Sequence, residues 1–135
     1  MTAERASLRR HVRIAAAPDD IWAILGDPAR IAEWWPGIVA AEVDGDSRVV
    51  TTGAGLPMPE TIVTNDRLQR RFQYRITAPM FREHTSTIDV HDLGGGTSLV
   101  VYAVDADPST MALVIGGAAG NALTHLRDLL EKGPA

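Results

Sequence analysis

The sequence contains no cysteine, which excludes a disulfide framework and thiolate chemistry. It has one lysine against twelve arginines and only seven aromatic residues. No apolar run approaches the ~20 residues needed to cross a bilayer as a helix, so stable membrane insertion is not expected. The opening stretch "MTAERASLRR" is polar and carries no hydrophobic core of the kind a secretory signal needs. With the missing cysteines, this predicts a cytoplasmic protein. Net charge is −4 and the isoelectric point is near 5.5, which argues against nucleic acid as a partner.

Motifs of common chemistries are also missing. "LGGGTS" is glycine-rich but joins two strands and lacks the lysine of a phosphate loop, so it reads as a hairpin turn. There is no Gly-x-Ser-x-Gly elbow. The four histidines form no helical pair with metal-ligand spacing, so neither a metal nor another cofactor is predicted.

What is present suits one domain spanning residues 1–135, long enough to bury roughly two-thirds of its unfolded surface. "LRRHVRIAAA" alternates, with Val12 and Ile14 on one side and His11 and Arg13 on the other, as in a half-buried strand. "PDDIWAILG" follows as a short helix, with Pro18 at its first position, Asp19 and Asp20 at the positive end of its dipole, and Gly26 as its stop. "DPARIAEWW" repeats the device with Asp27 as N-cap, and Pro36-Gly37 closes it.

Residues 38–106 then read as six strands. The first two turn at Asp44-Gly45-Asp46, "GAGLPMPE" is a loop, and the next two turn near Asn65-Asp66. Phe72, Tyr74 and Ile76 share one face, opposite Arg71, Gln73 and Arg75. Ile88 and Val90 set an inward face that includes His84 and Ser86. "SLVVYAVDA" is apolar on both faces and leaves Tyr102 without a direction.

The tail predicts one long helix, capped by Asp107, opened by Pro108 and ended by Gly133-Pro134. Its apolar stripe runs through Met111, Ile115, Ala118, Ala122, Leu126 and Leu129. "IGGAAGNAL" places Gly116, Gly117 and Gly120 mid-helix, where each costs about 1 kcal/mol relative to Ala. Such residues either admit a close backbone neighbour or leave volume above the sheet. The order of strand, two short helices, six strands and long helix makes an α+β fold, a seven-stranded antiparallel sheet with its helices on one face.

"AAPDDIWAILGDPARIAEWWPGI" resembles the opening of the START/Bet v 1-like (SRPBCC) superfamily, in particular its bacterial polyketide cyclase/dehydrase and lipid-transport branch. Pro18, Ile21, Trp22, Asp27, Pro28, Trp34 and Pro36-Gly37 carry the likeness at the start. Leu123, Leu126, Leu130 and Glu131 carry it at the end. The resemblance implies a helix-grip fold, in which the curved sheet wraps the C-terminal helix around a mostly apolar cavity. It also implies a hydrophobic or aromatic small molecule as partner, lipid or polyketide-like, in a monomer or homodimer.

The pocket predicted on this basis involves Trp35, Met58, Phe72, Tyr74, His84, Tyr102, Met111 and Ile115, with loops 53–59 and 78–81 at its mouth. Trp22 and Trp34 read as core. Trp35, about 100° further round the helix than Trp34, covers either the cavity rim or the bend. Two further roles stay open. One is a polyketide aromatase/cyclase or dehydratase, with Tyr74 and His84 as catalytic candidates. The other is a stress- or toxin–antitoxin-linked protein acting through a partner. Arg67, Arg70, Arg71, Arg75 and Arg82 read as a solvated charged face, with Arg82 and Glu60 as alternatives for the cavity mouth.

Overall fold

Side-chain alternation and helix punctuation build the elements in the expected order. A computed structural model describes residues 4–132. Strand β1 (Ala6–Ile14) leads into α1 (Pro18–Leu25), a 3-10 turn at Pro28–Arg30 and α2 (Ile31–Trp34). Six strands follow: β2 (Ile38–Asp44), β3 (Ser47–Thr52), β4 (Pro57–Asp66), β5 (Arg71–Ile76), β6 (Glu83–Gly94) and β7 (Thr97–Asp107). Helix α3 (Ser109–Lys132) closes the fold. All neighbouring strands are antiparallel, in the order β1-β7-β6-β5-β4-β3-β2. This is the helix-grip fold. None of the described helices is long and apolar enough to cross a membrane.

Local chemistry explains the start of the chain. Pro18 sits at the first position of α1, and Asp19 and Asp20 occupy its first turn. Asp27 Oδ1 accepts the Ala29 N–H at 3.1 Å and caps the 3-10 turn. Gly26 carries no side chain because Trp22 lies over it: a Cβ there would stand 2.4 Å from the indole.

Three boundaries differ from the sequence reading. Strand β4 begins at Pro57, inside the stretch read as loop, and Met58 pairs with Val50 of β3. The turn after β4 covers residues 67–70, with Asp66 Oδ1 accepting the Leu68 N–H at 2.9 Å. Asp107 ends β7 instead of capping α3, and its carboxylate is held by Arg82 Nε at 2.8 Å. The helix stop assigned to Gly133-Pro134 lies outside the described residues.

Helix α3 seats on β1 and β7, at one edge of the sheet. Its buried stripe is Ala112, Gly116, Ala119, Ala122, Leu123 and Leu126. In the first two turns this stripe lies one position round from the larger residues that the periodicity selects. Small residues win there because the helix comes close to β1: a Cβ on Gly116 would lie 2.5 Å from Leu8 Cδ1. Arg10 Nε also donates to the Gly116 carbonyl at 3.2 Å. Close approach, not spare volume, therefore accounts for Gly116. The turn of α3 that sinks onto β1 carries Met111, Ile115 and Ala118 to its flank, half-buried and facing β2–β5.

Candidate ligand site

Because α3 covers β1 and β7 and the short helical segments cover only part of the rest, a stretch of the inner face of β2–β5 is left open. A cavity of about 240 Å³ fills that space. Sheet residues Ile38, Val50, Met58, Tyr74 and Ile76 form its floor. Ile31 and Trp35 of the second helical segment close one side, and Met111, Ile115 and Ala118 of α3 close the other. Met80 and Val114 border it while remaining 50% and 58% exposed, which places the mouth between the 78–81 loop and the first turns of α3.

Three polar side chains, Thr52, Glu60 and Tyr74, interrupt this apolar wall at the floor, and two of them are enclosed. Glu60, on the inward face of β4, is 6% exposed and stands opposite Arg48 of β3, 3% exposed. Arg48 Nε donates to Glu60 Oε1 at 2.7 Å, and Arg48 Nη1 donates to the Pro28 carbonyl at 3.1 Å. The guanidinium also lies over the rings of Phe72 and Tyr74, 5.3 and 5.1 Å from their centroids. Burial pushes the Glu60 carboxyl above the usual carboxylate range, against the pull of Arg48.

The second enclosed side chain is Tyr74, whose hydroxyl is hydrogen-bonded to that of Tyr102. Both phenols are enclosed, and burial raises Tyr74 to about 12 and Tyr102 well above the ordinary tyrosine value. Behind Tyr74, His84 Nδ1 accepts the Ile76 backbone N–H at 2.8 Å. Its Nε2 pairs with Ser86 Oγ, also at 2.8 Å. With Nδ1 used as acceptor, Nε2 carries the proton of the neutral imidazole. Burial lowers the His84 pKa to about 4.

The structure separates the eight residues named from sequence. Trp35, Met58, Tyr74, Met111 and Ile115 line the cavity. Phe72, His84 and Tyr102 lie outside its lining, in the layer behind Tyr74 and Trp35. Phe72 packs beside Tyr74, Tyr102 tilts against Trp35 at 5.6 Å, and His84 sits between Tyr74 and Phe81. The tryptophan doublet divides its work. Trp34 is 2% exposed and packs in the core, whereas Trp35 crosses it at 64° and turns toward the cavity.

Arg48 was not a candidate from sequence. The β3–β4 register sets Arg48 opposite Glu60 and Val50 opposite Met58, a cross-strand charge pairing that the sequence pattern alone does not give. Of the five arginines read as a charged face, Arg70 is held by Asp19, Arg71 by Asp89 and Arg82 by Asp107. Of the two mouth alternatives, Glu60 reaches the cavity and Arg82 does not.

A family model described as polyketide cyclase / dehydrase and lipid transport matches residues 5–131. The chain belongs to this family. It shares the START/Bet v 1-like superfamily that the opening motif resembles. No curated protein matches the chain.

Among solved structures, the protein XoxI from Bacillus cereus superposes with a TM-score of 0.86 at 21% identity, over 93% of this chain and 95% of that one. Norcoclaurine synthase from Thalictrum flavum, in complex with dopamine and hydroxybenzaldehyde, gives a TM-score of 0.74 at 16% identity, over 97% and 89%. The di-domain ARO/CYC BexL from the BE-7585A biosynthetic pathway gives 0.81 at 14% identity, over 96% of this chain and 48% of that one. At these identities the likeness establishes the shared fold, and this polyketide cyclase / dehydrase family member spans about half of the di-domain chain.

Proposed function

We propose that this protein binds a compact apolar or aromatic molecule in the cavity between β2–β5 and α3. The observation that carries the reading is the cavity itself, about 240 Å³ of space walled almost entirely by aliphatic, methionine and aromatic side chains. Its volume lies below the roughly 300–1,000 Å³ of pockets for drug-sized ligands. One or two fused rings suit it better than an extended acyl chain. Met58, Met80 and Met111 give the wall adjustable, polarisable surfaces. Norcoclaurine synthase, bound to two single-ring aromatics on the same fold, supports this size class.

The test is a thermal-shift panel of naphthalene, indole and fatty acids of increasing length. The bicyclic compounds raise the melting temperature, and Ala118→Phe, which fills the cavity from the flank of α3, abolishes the rise. An equal rise in Ala118→Phe places binding elsewhere and overturns the reading.

A second reading rests on a different observation, the enclosed phenol pair with one member on the cavity wall. In an aromatase/cyclase or dehydratase acting on a poly-ketone, Tyr74 is the hydroxyl positioned to hydrogen-bond a ketone or enolate oxygen. His84 cannot serve as a free base in this arrangement, since both ring nitrogens are engaged. The family description and the ARO/CYC assignment of BexL support this reading. Cyclisation of a poly-ketone thioester that is lost in Tyr74→Phe supports it, and no turnover by the unaltered protein removes it.

A further inference from the structure

Glu60 is a carboxylate set into an otherwise apolar wall, and half of it is unused. Arg48 takes Oε1, while no donor among the described residues hydrogen-bonds to Oε2. The side chain is 4% exposed, yet Glu60 borders the cavity. Among the described residues the fully buried side-chain atom left without a hydrogen-bond partner is Arg48 Nη2, not Oε2, so Oε2 is accessible and free to accept a hydrogen bond from a molecule in the cavity that Glu60 borders.

The other polar groups on the wall already have partners. The Tyr74 hydroxyl already has a hydrogen-bond partner in Tyr102. Thr52 Oγ1 accepts the Leu56 N–H at 3.2 Å. Charge is already balanced, because the Arg48 guanidinium sits against the carboxylate. The partner that suits Oε2 is therefore a neutral donor and not a second cation.

We propose that Glu60 is the specificity determinant of the cavity and selects compact aromatic molecules that carry a phenolic hydroxyl or N–H donor, which it accepts on Oε2. This rests on the cavity being the binding site, as proposed above. A hydrocarbon or ether of the same shape leaves Oε2 unpaired and binds more weakly. An anionic ligand meets the carboxylate directly and is rejected.

Three probes of one shape class test this by isothermal titration: naphthalene, 2-naphthol and 2-methoxynaphthalene. The unaltered protein binds 2-naphthol about tenfold or more tighter than either other probe. The methoxy compound keeps the oxygen and loses the donor, so it groups with naphthalene. In Arg48→Met/Glu60→Leu, which replaces the ion pair with apolar side chains of similar size, the three probes bind alike. Equal binding of 2-naphthol and 2-methoxynaphthalene to the unaltered protein overturns the proposal without any variant. A 2-naphthol preference that survives in the double variant overturns it as well. Failure of the cavity reading looks different: no probe binds, or Ala118→Phe binds all three as the unaltered protein does. Either result overturns both proposals.

Discussion

Arg48 and Glu60 face each other across β3 and β4, with Arg48 Nε 2.7 Å from Glu60 Oε1 and both side chains almost wholly enclosed. The pair ties the sheet to the Pro28–Arg30 turn through the Pro28 carbonyl and sets the one charged point on the cavity wall. Taking two charges out of water is expensive, and their attraction only roughly repays it. Breaking the pair from one side is therefore worse than removing it whole. Arg48→Met leaves an uncompensated buried carboxylate and is expected to cost roughly 3–5 kcal/mol at neutral pH. Arg48→Met/Glu60→Leu recovers most of that loss. Urea unfolding of the three proteins measures this, and a double variant as unstable as the single one contradicts it.

His84 makes stability depend on pH with a definite sign. Its pKa is lowered by burial from 6.5 to about 4, so between these values the unfolded chain binds the proton and the folded chain does not. Stability is thus complete above pH 6.5 and falls as the pH drops toward 4, by about 3 kcal/mol in all. Glu60 has a raised pKa and contributes in the opposite direction. His84→Asn keeps an acceptor for the Ile76 N–H and leaves Glu60 in place. The difference between the two proteins' stability–pH curves isolates His84, and parallel curves exclude the effect.

The glycines of α3 predict unequal outcomes at adjacent positions. Gly117 faces open space, so Gly117→Ala gains helix propensity and stabilises by up to about 1 kcal/mol. Gly116 faces Leu8, so a methyl group there must displace that side chain. Gly116→Ala gains less than Gly117→Ala, and Gly116→Leu separates α3 from β1 and destabilises. Thermal unfolding of the three variants checks the order. Equal gains from both alanines contradict close packing at Gly116.

Much of this architecture was legible in the sequence, because its signals are local. Pro18, Asp27 and Gly26 punctuate the helices, and the alternation of Phe72, Tyr74 and Ile76 fixes which face of β5 is buried. The inward placement of His84 and Ser86 follows from Ile88 and Val90 in the same way. The Arg48–Glu60 pair was not legible, since it depends on the register between β3 and β4. Pro57 and Pro59 made the start of β4 look like loop.

Tyr102 lay on a strand apolar on both faces, so only its packing against Trp35 gives it a direction. The seating of α3 was missed for a related reason. Periodicity ranks large apolar residues first, while the contact with β1 is made by Ala112, Gly116 and Ala119. The cavity follows from that choice, because it turns Met111 and Ile115 away from β1 and toward the sheet's uncovered half.

The central claim is that a compact aromatic molecule enters this cavity, and the tryptophan doublet provides its reporter. Trp35 lines the cavity, Trp34 packs behind it and Trp22 lies on α1 against Gly26. The most direct measurement is a two-dimensional NMR titration of the 15N-labelled, methyl-labelled protein with 2-naphthol. The account predicts saturable shifts of the Trp35 indole N–H and of the Met58 and Met111 methyl groups, with the Trp22 indole unmoved. Saturable shifts confined to residues outside the cavity, or no shifts at all, would contradict it.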